Sequence, residues 1–242
     1  MLASGLHYFP VTLPFLLLLA GLFGLLLGMV STKMLRYGSA RLGIKSGTMF
    51  AILLMSLILS YVNIPIARLP EQHSVTAAIV TYFGVSYVIP VIRDWPGTVI
   101  AVNVGGAVIP TLISLYLVIH HRLLGLSLVG VGIIAAICHI LAYPVHGLGI
   151  AEPIVAPPLA AAIVAMALSR GRAAPLAYVC GSLGTLIGAD LLNFGKIPGL
   201  GAPIASIGGA GTFDGIFLTG LLAVVFASLA TNLEVGAEQS GR

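Results

Sequence analysis

Long apolar runs almost free of charge constrain this chain more than any other feature. A helix needs about 20 apolar residues to cross the hydrocarbon of a bilayer. Val11–Val30, Thr48–Ile66, Thr98–Ile119, Leu123–Tyr143, Pro153–Leu168, Ala174–Asn193 and Thr212–Ala230 reach or approach that length. Only 7% of the 242 residues are charged and 59% are hydrophobic, too little polar surface to solvate a globular domain. The pattern predicts an all-α polytopic membrane protein of seven transmembrane helices, with residues 1–242 as one transmembrane domain and the lipid bilayer as its first partner. Transmembrane strands would show short alternating segments instead of these continuous runs.

The few charges orient the helices. With the N-terminus outside and the C-terminus in the cytoplasm, Lys33, Arg36, Arg41, Lys45, Arg122, Arg170, Arg172 and Arg242 face inward. Arg68, Arg93 and Lys196 then face outward, a split of eight to three in the sense of the positive-inside rule. The expected location is therefore the cell membrane, multi-pass, N-out and C-in. Met1–Pro10 has no Lys or Arg ahead of the first apolar run, so a retained first span is expected rather than a cleaved signal. The net charge of +4 serves this orientation, and no basic stretch with interleaved aromatics suggests nucleic acid.

Val75–Ile92 is long and apolar enough for an eighth span, but that would even the charge split to six against five. The segment is rich in β-branched and aromatic residues and ends in the turn signal Arg93-Asp94-Trp95-Pro96-Gly97. Residues 75–97 are expected to form an extended or hairpin segment packed on the outer face. Asn63, Glu71, His73, Asp94, Asn103, His146, Glu152, Asp190, Asn193 and Asp214 all fall at or near that side.

The two halves show a weak self-similarity. Pro10-x3-Pro14 matches Pro153-x3-Pro157, Asn63 matches Asn193, and Gly105-Gly106-Ala107 matches Gly208-Gly209-Ala210. Each glycine triplet follows a Pro-Gly pair, Pro96-Gly97 or Pro198-Gly199. The expected organisation is a parallel 3+1+3 repeat: residues 10–119, a linking helix over 123–143, and residues 153–231. Its topology is similar to that of seven-helix sugar transporters of the SWEET type, without their motif residues.

Asn103-Val104-Gly105-Gly106-Ala107, Gly188-Ala189-Asp190-Leu191-Leu192-Asn193 and Ser206-Ile207-Gly208-Gly209-Ala210-Gly211-Thr212-Phe213-Asp214-Gly215 carry a resemblance over most of the chain after about Thr98. These blocks resemble those of a prokaryotic membrane-protein family of unknown function. The resemblance implies an integral membrane protein with these motifs as its signature, and no activity.

Asp190 lies about one turn inside the end of its apolar run, with Asn193 at i+3 on the same helix face. Acids in such runs are expensive and mark functional sites. Gly181, Gly184 and Gly188 precede it at a spacing that lets a neighbouring helix approach. Asp214 follows Thr212 at a helix start, where the macrodipole favours negative charge. Asp190 and Asp214 flank one connector, and a close approach would make them share a proton. Glu152, His146 and His139 are weaker candidates. His139-x6-His146 matches no metal spacing, and the glycine pairs lack the lysine of a phosphate loop, so no metal or cofactor is expected. Cys138 and Cys180, assigned to opposite sides, are not expected to pair.

These residues leave three readings. The first is a transporter of a small solute or ion, proton-coupled through intramembrane aspartates, with Asp190, Asn193, Asp214, Asn103, Glu152 and His146 binding the solute, proton or cation. The second is an intramembrane aspartyl protease with Asp190 and Asp214 as its catalytic pair. Its plan is similar to that of presenilin-type enzymes, but the chain has no strict G-x-G-D and fewer spans. The third is a non-catalytic scaffold or receptor. Oligomerisation is compatible with all three.

Overall fold

Extended backbone starts where β-branched residues and proline interrupt the apolar runs. The computed structural model describes residues 45–70, 72–82, 85–95, 97–145, 149–199, 202–209 and 215–240, with Gly21 and Gly24 helical. The first element described along its length, α1 (Ser46–Leu59), stops short of Asn63-Ile64-Pro65, which open strand β1 (Asn63–Arg68). An antiparallel hairpin follows, β2 (Gln72–Tyr82) and β3 (Val85–Trp95), paired from Gln72↔Trp95 to Tyr82↔Val85. The segment expected to be extended or a hairpin is therefore a hairpin.

Strand β4 (Val99–Asn103) leads through a π-helical turn, Val104–Val108, into α2 (Ile109–His120). Next come α3 (Leu124–Leu141), the short strands β5 (Tyr143–Val145) and β6 (Gly149–Ala151), and α4 (Ala156–Leu168). A 3-10 turn at Arg170–Arg172 runs into α5 (Ala173–Thr185), which ends in a second π-helical turn, Leu186–Leu191. After a 3-10 segment over Phe194–Gly199 come β7 (Ile204–Ile207) and α6 (Gly215–Ser240).

The fold is mostly helical, and the all-α expectation needs correcting. β4 is the middle strand of a three-stranded sheet, antiparallel to β1 and parallel to β7. Asn63 faces Asn103 across the first pair, and Val102 faces Ile207 across the second. Pro65 lies on an edge strand beside a register shift, where its missing N–H removes no ladder bond. Two of the apolar runs, Thr48–Ile66 and Thr98–Ile119, therefore divide between helix and strand. Apolar content gave their length, but Val, Ile and Pro beside Asn63 and Asn103 favour extended backbone.

The helix α5 forms the axis. Its residues are buried nearly all round, and it packs against α2, α3, α4 and α6. Such a helix belongs in a core. Small residues make the fit: a Cβ on Gly184 would meet Ile134 on α3, and one on Gly181 would meet Ala223 on α6. On one side Tyr178 and Val179 pack with Ile113, Leu117 and Leu221. On the other, Leu176, Ala177 and Cys180 pack with Ile134, Ala161 and Ala223.

Among the described residues, two helices, Leu124–Leu141 and Arg170–Leu191, are long and apolar enough to cross a membrane. They differ in what they face. The second is 78% buried inside the protein and the first only 28%. The first turns Leu128 and Ile140 outward, 68% and 79% exposed.

Candidate functional site

The glycine pair after β7 is gripped from two sides. Gly208 has φ +90, a conformation that side chains avoid, and a Cβ there would lie 2.6 Å from the Ala107 backbone nitrogen. Its N–H donates to Asp190 Oδ2 at 2.6 Å, the short length of a charge-assisted bond. Gly209 rests against the side chain of Asn103.

Asn103, at the end of β4, is 1% exposed and fully engaged. Its Oδ1 accepts from the Gly106 N–H at 2.8 Å and so caps the π-helical turn. Its Nδ2 donates to the Ser60 carbonyl and, at 3.1 Å, to Asn63 Oδ1. The Ser206 hydroxyl donates to the same Asn63 oxygen. One side-chain network thus joins β1, β4 and β7 at the end where β4 passes into helix. Ser56 on α1 donates to the Gly105 carbonyl and docks the helix on the same turn.

Asp190 sits in the π-helical turn that ends α5. Such turns add a residue to a helix and often mark functional positions. Asn193 closes this turn, its Nδ2 donating to the Gly188 and Ala189 carbonyls, each at 3.0 Å. Its Oδ1 is buried without a hydrogen-bond partner. The i+3 spacing from Asp190 therefore caps the turn through one end of the amide and leaves the other end unsatisfied.

Glu152 arrives from the loop between β6 and α4. It interacts with the Cys138 thiol on α3 and with the charge of Asp190. Its Oε1 is buried and unpartnered. Burial pushes the Glu152 carboxyl up to about 7; the Cys138 hydrogen bond opposes this and the neighbouring Asp190 charge adds to it. Cys138 Sγ also lies 3.5 Å from Thr185 Oγ1. Cys138 and Cys180 are both free thiols in the α3–α5 contact. His139, beside Cys138, has a buried Nδ1 without a partner.

Of the residues singled out in the sequence, the structure gathers Asn103, Glu152, Asp190 and Asn193 around these turns. Asp214 and His146 lie outside the described residues. Among the described residues no group of three His, Cys, Asp or Glu is arranged to hold a metal ion. Sequence reasoning missed Ser60, Ser206 and Thr185. No local signal separates them from other small polar residues, because sheet register and helix packing bring them in.

These features define a mostly helical protein with membrane-length apolar helices and a polar, carboxylate-bearing site where strands give way to helices. The chain belongs to the family described as protein of unknown function (DUF1614), whose model matches residues 57–226. Every residue of the site except Ser56 lies within that match. No curated protein and no solved structure matches the chain.

Proposed function

We propose that this protein is a multi-pass membrane transporter of a small solute or ion, with proton or cation coupling at Asp190. The bond from Gly208 N–H to Asp190 Oδ2 is the observation that carries the reading. It joins the end of one membrane-length helix to the glycine pair ahead of α6. Beside it, β4 and β7 run parallel, and each is followed by a glycine pair and then a helix. Discontinuous elements of this kind are how transporters offer backbone groups and carboxylates to charged ligands. The parallel strands also support the two-halved arrangement, and the N-out, C-in orientation with seven spans completes the proposal.

Asp190→Asn tests it. The Asn oxygen still accepts the Gly208 N–H but carries no charge. Proton movement into proteoliposomes under an imposed pH gradient, reported by a pH-sensitive dye trapped inside, should fall to the level of protein-free vesicles. Undiminished movement by a correctly folded variant would refute the role of Asp190.

A further inference from the structure

Among the described residues, the site holds two acids and no Lys or Arg paired with them. The C-terminal part of α3 lies directly on the turn that carries Asp190: a Cβ on Gly188 would fall 2.3 Å from the Ala135 carbonyl oxygen and 2.8 Å from Cys138 Cβ. Cys138 lies against Thr185, just before the turn, and interacts with Glu152 from the β6–α4 loop. The titratable groups facing Glu152 are Cys138 from α3 and Asp190 from the π-helical turn. His139 follows Cys138 on α3. Among the described residues, no Lys or Arg pairs with either carboxyl.

The two carboxyls differ in what they receive. Asp190 accepts a backbone N–H from Gly208. Glu152 Oε1 is shut off from solvent and receives nothing, which penalises its anion. Two neighbouring carboxyls without a cation do not both ionise readily, so one keeps a proton.

We propose that Glu152 is the second carboxyl of the Asp190 site, and that the pair shares one exchangeable proton, which Glu152 holds at rest. Uptake forms one O–H bond on Glu152. Release breaks it, leaves the electron pair on the carboxylate and passes the proton to water. Burial supports this placement by holding the Glu152 carboxyl near neutrality. The inference deepens the transport reading and rests on it for the use of the proton, not for its location.

Infrared difference spectroscopy on the purified full chain in mild detergent, titrated with acid and base, tests the location. The wild type should show the carbonyl band of a protonated carboxyl that disappears with a midpoint of about 7. Glu152→Gln should lose this band. Glu152→Asp should keep it at a moved midpoint, and Asp190→Asn should keep it with the midpoint lowered by about one unit, because the like charge is gone. A wild type without the band, or a Glu152→Gln protein that retains it in full, overturns the proposal. A titrating band in a protein that moves no protons across proteoliposomes refutes the transport reading and leaves the shared proton standing.

Discussion

Glu152→Gln should weaken the dependence of this protein's stability on pH over one defined window. The carboxyl moves from an ordinary 4.5 to about 7 on folding, chiefly through burial. Between those values the folded protein holds a proton that the unfolded chain has already released. The stabilisation is fully present below about pH 4.5 and is lost as pH rises through about 7. A shift of roughly 2.5 units at about 1.4 kcal/mol per unit amounts to about 3 kcal/mol. Glutamine resembles the neutral acid in shape and does not titrate. Wild type and variant should therefore agree within about 1 kcal/mol near pH 4, and the variant should be more stable by about 3 kcal/mol near pH 8. Denaturant unfolding in mild detergent, followed by far-ultraviolet circular dichroism across that range, measures both. Parallel stability profiles would refute the reasoning, because they would mean that the proton affinity of Glu152 does not change on folding.

Two further outcomes follow from the contacts around Asn103 and the glycine pair after it. Gly105→Ala should destabilise by about 4 kcal/mol or more, measured as a fall in melting temperature, because its Cβ would overlap the Ser56 carbonyl oxygen and the Ser60 backbone of α1. A melting temperature equal to wild type would show that α1 does not dock there. Asn103→Ala should cost about 2–4 kcal/mol, since it leaves the Gly106 N–H without its partner and removes a donor from the Ser60 carbonyl and from Asn63 Oδ1, and Asn103→Asp should restore only the Gly106 bond. Equal losses for the two variants would mean that the cap to Gly106 contributes nothing.

Asp190 was legible because a carboxylate near the end of an apolar run is rare, and the structure places it on a helix end in contact with another segment. Asn103 lies against Gly209 beside that contact, and Glu152 feels the Asp190 charge. Their bonding differs from what spacing suggests. Asn193 turns back onto the Gly188 and Ala189 carbonyls, a consequence of the π-helical turn that spacing alone does not reveal. The partner assigned to Asp190 from chain proximity was Asp214, which lies outside the described residues. Among the described residues, the acid that feels its charge is Glu152, from the loop ahead of α4. The apolar runs located the helices, but those around Asn63 and Asn103 overshot, since hydropathy does not distinguish a buried strand from a buried helix.

Taken alone, the sequence determined that apolar segments dominate this chain, that α3 and α5 reach membrane length, and that carboxylates are scarce enough to mark a site. Those are local quantities, summed along a window, and they need no knowledge of neighbours. The tertiary structure decided which polar groups meet: Asp190 with Gly208, 18 residues away, and Asn63 with Ser206, 143 residues away. Such pairings depend on strand register and on glycine contacts where two backbones nearly touch. Both are properties of elements packed together, and neither is written in any one of them.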